Sequence, residues 1–353
     1  MALELPPAPE MWRAFTARDA TYDGVFFTGV RTTGIFCRPT CPARKPLREN
    51  VEFFRTAPEA LSSGYRPCLR CRPMEPRGEP PAWLQGLLET VERAPARRLR
   101  DADLRDAGLD PARVRRWFQR HHGMTFHAYQ RARRLGRALG QLSLGDDIVQ
   151  TAYRNGFDSL SGFNEAVRRL ARESPGRARD ATVVRVTRIP TPLGPMLAGA
   201  TDEALCLLEF ADRRMLETQL ARVTRQLAAV LVPGETEVTR RTADELARYF
   251  AGELRAFSIP LAPAGTPFQQ QVWTELRTIP YGETRSYGEQ ARRLGRPEAV
   301  RAVARANGDN RIAIVIPCHR VIGADGTLTG YGGGLWRKKR LLELERGELV
   351  LAL

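Results

Sequence analysis

The chain has 353 residues, 42% of them hydrophobic and 27% charged, with a formal net charge of +15. That length suggests two or three domains with ordinary cores. No apolar run reaches the roughly 18 residues of a membrane helix, and the start, Met1-Ala-Leu-Glu-Leu-Pro-Pro, has no basic stretch ahead of an apolar core, so neither a membrane span nor a secretory leader is expected and the location should be cytoplasmic. The charge favours an anionic partner, most often nucleic acid. Lys occurs only at positions 45, 338 and 339, so the excess is almost all Arg.

The first segment, to about residue 75, is short and loop-rich. It holds four of the six cysteines, spaced Cys37-x3-Cys41 and, 26 residues on, Cys68-x2-Cys71. In a reducing compartment two such pairs suit a tetrahedral Zn site better than two disulfides. Residues 72–81 are rich in Pro and Gly and read as a linker.

The second segment, about 82–178, reads as all helix. Leu84, Leu87, Leu88 and Val91 share a helical face. Asp110-Pro111, Thr125, Asp146 or Asp147, and Ser159 are start signals for further helices, and Gly123 and Gly156 are stops. Between residues 97 and 177, 17 Arg against 9 acidic residues leave +8, a basic helical domain.

The third segment, about 181–353, is mixed. Strands are expected at 182–186 and 204–210. Helices are expected near 212–229 and 241–252, after Thr266-Pro267, after Ser286, after Pro297 and over 337–347. Cys206 lies in a strand-like apolar run and reads as an inert core residue. Cys318 differs, because it follows Ile312-Ala-Ile-Val-Ile-Pro and precedes His319-Arg320. Nucleophilic sulfur needs a base and a group to orient that base, which makes His319 a candidate base.

Three sets of motifs carry family resemblances. Arg31-Thr-Thr-Gly-Ile-Phe-Cys37-Arg-Pro-Thr-Cys41-Pro-Ala-Arg and Gly64-Tyr-Arg-Pro-Cys68-Leu-Arg-Cys71 resemble the N-terminal domain of the bacterial adaptive-response (Ada) family. Asn155-Gly-Phe-Asp-Ser-Leu-Ser-Gly-Phe163-Asn-Glu-Ala-Val is similar to the second helix-turn-helix of AraC-type regulators. The first unit departs from that pattern, since Arg100-Asp-Ala-Asp-Leu-Arg-Asp-Ala offers only Leu104 and Ala107 as clearly apolar. Gly265-Thr-Pro-Phe-Gln-Gln-Gln-Val-Trp273, Ile279-Pro-Tyr-Gly-Glu-Thr284, Ile316-Pro-Cys-His-Arg-Val321 and Gly326-Thr-Leu-Thr-Gly-Tyr-Gly-Gly-Gly334 resemble O6-alkylguanine-DNA alkyltransferases.

These resemblances imply a multidomain chain. A small α+β zinc-binding domain would span 1–75, and an all-α double helix-turn-helix domain of AraC type 82–178. An α/β alkyltransferase domain would span 181–353, with a sheet subdomain (181–262) and a helical, winged-helix-like subdomain (263–353). They imply single-turnover transfer of methyl groups from O6-methylguanine, and from O4-methylthymine, to Cys318. They also imply transfer from backbone methylphosphotriesters to Cys37, held on one Zn2+ by Cys37, Cys41, Cys68 and Cys71, switching the protein to a transcriptional activator. His319 would be the base and Glu345 its orienting carboxylate; Glu343 competes, but points about 200° away on the same helix. Tyr287 would serve the leaving guanine, and Asn310 would hold the active-site turn. Arg301 would fill the stack when the base is flipped out. Arg38, Arg44, Lys45 and Arg48 are candidate phosphate contacts, and Arg113, Arg115, Arg116, Ser161 and Asn164 are candidate groove readers. No organic cofactor is expected. The implied partners are double-stranded DNA and RNA polymerase, with the protein a monomer. Two other readings fit the residues: a repair-only protein with a non-specific helical arm, and a zinc transcription factor whose third domain is a relic.

Overall fold

The structure is a computed structural model and describes residues 5–74, 80–122, 124–171, 174–176, 181–213, 215–349 and 351. Part of the expected linker (75–79) and the expected helix stop at Gly123 lie outside the described residues.

The first unit is built on sheet rather than loop. Helix α1 (Ala8–Ala17) precedes strands β1 (Phe27–Val30), β2 (Ile35–Cys37) and β3 (Val51–Phe54), followed by α2 (Ala57–Ser62) and β4 (Arg66–Pro67). The strand order is β3-β1-β2-β4. Strand β1 is antiparallel to both neighbours, and β4 lies parallel to β2. Met11, Phe15, Phe26 and Val51 form one small core; Phe36, Phe54 and Tyr65 form another. Such limited burial leaves little stability without a cross-link or metal.

The second unit has helices α3 (Ala82–Arg93), α4 (Asp101–Asp106), α5 (Pro111–His122), α6 (Phe126–Ser143), α7 (Ile148–Arg154) and α8 (Leu160–Ala171). The cap signals are used: Thr125 accepts from Ala128 N, Asp147 from Gln150 N and Ser159 from Gly162 N. In the first helix-turn-helix, α4 forms despite its sparse apolar pattern. Leu104 alone of its residues is buried, in a cluster with Val114 and Phe118. In the second, Gly156 has φ +71° and a Cβ there would collide with the Ala96 carbonyl, so only glycine fits the turn between α7 and α8.

The third unit opens with β5 (Thr182–Ile189), β6 (Met196–Ala200), β7 (Leu205–Phe210), α9 (Leu216–Gln226), β8 (Ala229–Pro233) and α10 (Glu237–Phe250). The sheet order is β7-β6-β5-β8, antiparallel except for the β5–β8 pair. Helix α9 is thus the crossover between two parallel strands. Two corrections follow. The helix expected near 212–229 is shorter, and its last residue is the first of β8. Strand β6 was not expected at all; its Met-Leu-Ala-Gly-Ala is buried on both faces and shows no alternation. The remainder contains α11 (Pro267–Leu276), β9 (Arg285–Ser286), α12 (Tyr287–Arg293), α13 (Val300–Gly308), β10 (Val321–Ile322) and α14 (Leu335–Glu345). Thr266 and Ser286 form capping boxes with Gln269 and Glu289. Trp273 locks α11 to α13 by donating Nε1–H to the Ala306 carbonyl at 2.9 Å.

The units touch. Val183, Val230 and Val232 on one face of the sheet join a cluster with Leu135, Leu139 and Phe163. Gly136 lets α6 approach closely, since a Cβ there would run into Val232. The rings of Tyr22 and Trp336 meet at 6.3 Å, bringing the first unit against the start of α14.

Candidate active site

Cys318 sits at the end of a turn that the sheet anchors. Leu208 N donates to the Arg311 carbonyl and Ala313 N to the Leu208 carbonyl, both at 2.7 Å, so the 312–316 run is stitched to β7. Ile314 has φ +71°, which is costly for a β-branched residue, by roughly 1–3 kcal/mol. Asn310, 2% exposed, braces this conformation. Its amide donates to the Ile316 carbonyl at 2.8 Å and to Cys318 Sγ at 3.1 Å, and its oxygen accepts from Ile312 N at 3.0 Å. Burial pushes the Cys318 thiol up; the Asn310 hydrogen bond and the charges of Arg213 and Lys338 oppose it.

The next residue, His319, is fully buried. Its Nε2 lies 2.8 Å from Glu345 Oε1. Glu345 also accepts from Arg320 Nε at 2.8 Å, Arg320 Nη2 at 2.9 Å, the Tyr249 hydroxyl at 2.7 Å and Gly282 N at 3.1 Å. His319 and Arg320 hold this carboxyl well below the usual carboxylate range against the desolvation that burial imposes. An ionised Glu345 makes Nε2 the donor, which leaves His319 Nδ1 as the basic nitrogen. That Nδ1 is buried and has no hydrogen-bond partner among protein atoms. Desolvation lowers the His319 pKa, so the ring is neutral at physiological pH. Glu343 is turned away and pairs with Arg340 at 2.7 Å.

The opposite wall is the 326–334 loop. The Tyr287 hydroxyl donates to the Thr329 and Gly330 carbonyls at 3.2 and 3.3 Å. Buried Lys338 donates to Val321 and Thr329 carbonyls at 2.5 and 2.6 Å. Arg301 is exposed on α13, outside this network. Sequence reasoning did not find Tyr249, Lys338 or the bidentate role of Arg320. Only Arg320 had a signal, its place beside His319.

The second cluster lies in the first unit. Cys37 ends β2, Cys41 follows a turn closed by Cys41 N to the Arg38 carbonyl at 3.1 Å, and Cys68 follows β4 with its N–H on the Phe36 carbonyl at 3.0 Å. The sulfurs of Cys37, Cys41, Cys68 and Cys71 lie within 4.8 Å of one another, and Cys41 and Cys68 are 3.9 Å apart. A tetrahedron of about 2.3 Å Zn–S bonds needs S···S near 3.8 Å, so the set fits one zinc ion. Arg38 N also donates to Cys71 Sγ at 3.4 Å. A cavity of about 890 Å³ opens over Cys37, Cys41 and Cys68, lined also by Arg44, Arg66 and Arg70. Arg66 and Arg70 were not singled out in sequence, although they bracket Cys68.

The candidate phosphate contacts divide. Arg44 is exposed beside the cavity. Lys45 is tied down: Nζ donates to the Pro39 and Cys41 carbonyls at 3.3 and 3.4 Å and lies 3.6 Å from the Phe15 ring centre, and burial brings its pKa to about 8. Arg38 requires a correction. It is 7% exposed and paired with Asp23 at 3.3 Å, so it braces the zinc loop rather than offering a free cation. Arg48 packs over the Trp12 and Phe53 rings. In the second unit Arg113, Arg115 and Arg116 are exposed on α5, Arg113 stacked 4.2 Å over Trp83 and Arg115 paired with Asp101 at 3.4 Å. On α8, Ser161 is exposed and Asn164 half-buried.

Comparison with known proteins agrees with both clusters. Residues 10–74 match the metal binding domain of Ada, 104–181 a helix-turn-helix domain, and 267–347 the DNA binding domain of 6-O-methylguanine DNA methyltransferase. Mycobacterium tuberculosis OGT, solved in complex with DNA, is 45% identical, with a TM-score of 0.41 over 48% of this chain and 95% of that one. Regulatory protein Ada of Salmonella typhimurium is 37% identical over 95% of this chain and 96% of its own. The bifunctional transcriptional activator/DNA repair enzyme Ada of Escherichia coli K12 shows the same 37% identity, with the same shares of the two chains covered. With relatives this similar over almost their whole length, the chain belongs to the Ada family.

Proposed function

We propose that this protein is a single-turnover DNA methyltransferase with two acceptor sulfurs, one for base lesions and one for the backbone. The observation that carries the reading is a buried thiol flanked by two hydrogen-bonded sets, Asn310–Cys318 and, from the next residue, His319–Glu345–Arg320. Its three units are taken as 1–75, 82–178 and 181–353.

At the first acceptor, Cys318 Sγ attacks the methyl carbon of O6-methylguanine, or of O4-methylthymine, in line with the C–O bond. The S–C bond forms, the O–CH3 bond breaks, and the electron pair goes to the leaving base. His319 Nδ1 takes the thiol proton through a water, Tyr287 donates a proton to the base oxygen, and the proton on His319 restores the tyrosine. Glu345 fixes the imidazole tautomer and balances its charge. Asn310 holds the sulfur on the strained turn. Arg301, exposed on α13, enters the stack that the flipped base leaves. The thioether has no return path, so each molecule acts once.

At the second acceptor Cys37, Cys41, Cys68 and Cys71 hold the metal. Bound Zn2+ keeps Cys37 a thiolate at neutral pH. Cys37 takes a methyl from a phosphotriester, leaving a phosphodiester and a neutral thioether. One negative charge disappears, repulsion from phosphate falls, and DNA binding tightens. Arg44 contacts the backbone there while Lys45 holds the loop behind it, and Arg113 and Arg116 guide the helical arm into the groove. Methylated protein then activates alkylation-response genes by engaging RNA polymerase. We further infer a cytoplasmic monomer; no helix among the described residues is long and apolar enough to cross a membrane.

Two substrates test this. Cys318→Ala is expected to abolish repair of O6-methylguanine and spare phosphotriesters, and Cys37→Ser the reverse. A Cys37→Ser protein that still demethylates phosphotriester DNA sinks the second half. A reporter under methylating stress tests activation.

A further inference from the structure

Away from both sulfurs, α9, the start of α11 and α13 enclose a cavity of about 320 Å³. Four arginines line it, Arg222, Arg225, Arg305 and Arg311, against a single acid, Asp309. That acid is already engaged. Arg222 donates to its Oδ1 at 2.5 Å and Gln269 Nε2 to its Oδ2 at 3.0 Å.

Arg311 is the unusual member. It is 1% exposed, and its Nε and Nη1 have no hydrogen-bond partner among protein atoms. The Trp273 ring lies 5.4 Å from its guanidinium. A buried guanidinium ordinarily has a carboxylate or several carbonyls on it, because desolvating it alone costs several kcal/mol, of the order estimated for any unpaired buried ion. Burial first, and then the like charges of Arg222, Arg213 and Arg225 against the opposing Asp309, bring its pKa down to about 10. Arg225 and Arg305 are exposed at the cavity mouth.

We propose that this cavity is a phosphate-binding site, with Arg311 as its floor and Arg225 and Arg305 as its rim. A phosphate oxygen matches the guanidinium fork, removes the like-charge repulsion and satisfies the donors of Arg311. The phosphate can come from the DNA backbone, because Arg305 lies one turn beyond Arg301 on α13, or from a free phosphate in solution. The site is separate from methyl transfer. Arg213, whose charge acts on both Arg311 and Cys318 and which donates to the Asn310 carbonyl at 3.1 Å, lies between the two.

The test uses the full-length, zinc-loaded protein, two probes and two variants, Arg225→Gln and Arg311→Gln. Inorganic phosphate at fixed ionic strength is titrated against the thermal midpoint, and unmethylated duplex DNA is titrated at several salt concentrations. If free phosphate is the ligand, it raises the wild-type midpoint and Arg225→Gln abolishes the rise. If a backbone phosphate is the ligand, phosphate leaves the midpoint alone, Arg225→Gln weakens duplex binding, and the slope of log affinity against log salt falls by about 1. Arg225 is exposed, so its variant reports even if Arg311→Gln does not fold. A phosphate rise that survives in Arg225→Gln overturns the proposal. So does the absence of any phosphate response together with unchanged duplex affinity and salt slope. Because the duplex carries no lesion, neither result depends on methyl transfer.

Discussion

The two proposed acceptor regions prepare a sulfur in opposite ways. Around Cys318 the protein does everything with its own groups: a braced turn, a neutral buried imidazole and a carboxylate held by five hydrogen-bond donors, His319 Nε2 among them. That site can exist only inside a large core, and it belongs to the largest apolar cluster described. Around Cys37 the core is small, and four sulfurs stand within one coordination sphere. There the polypeptide supplies geometry, and a metal held by the four sulfurs would supply reactivity. A thiol can be activated by burying a proton relay or by sharing a cation, and the second way needs far less protein.

The sharpest way to break this contrast is chelation. Structural zinc sites contribute roughly 10–16 kcal/mol of apparent binding free energy. Stripping the metal is therefore expected to unfold the first unit and abolish phosphotriester repair, with guanine repair unchanged; parallel loss of both in a two-substrate assay would mean that the regions are not independent. Next in size, Glu345→Gln leaves buried Arg320 without its counter-charge and His319 Nε2 without its carboxylate acceptor. Breaking a buried pair costs about 3–5 kcal/mol, read as a lowered melting temperature, while Glu343→Gln should be nearly neutral. Arg301→Ala comes third. It should slow repair of duplex by the few kcal/mol of an unfilled stack and leave the reaction with free O6-methylguanine unchanged; equal slowing of both would count against insertion. The smallest effect is acid sensitivity. His319 titrates below its ordinary 6.5 and Glu345 below its ordinary 4.5. Each binds fewer protons folded than unfolded, so its stabilisation is complete above the unfolded value and lost as pH falls to the folded one. Melting temperatures should drop from about pH 6.5 downward, and more steeply below about 4.5, for wild type but less for Glu345→Gln.

The sequence shows most where local chemistry decides. The caps at Thr125, Asp147, Ser159, Thr266 and Ser286 are satisfied as their residue types suggest. The four-cysteine spacing brings four sulfurs together. It shows least where distant segments decide. Strand β8 begins at Ala229, where a helix was expected to end, and pairs parallel with β5, which lies more than forty residues earlier. Tyr249 reaches Glu345 across 96 positions, a contact no local pattern encodes. Arg38 looks like a surface cation until Asp23 folds over it.

One feature of the helical arm sets a limit on what DNA the protein can read. Helix α6 spans 18 residues, joins the two reading heads, and rests its Gly136 against Val232 of the repair sheet. At 1.5 Å per residue it is a strut of about 27 Å. It works as a ruler: one residue added within it would turn one head by about 100° and advance it 1.5 Å, moving that head off the groove the other still faces. When both heads engage DNA at once, the spacing and phase of the grooves they face follow from the length of this helix. Because the ruler is clamped to the sheet, they are also fixed relative to the domain that carries Cys318.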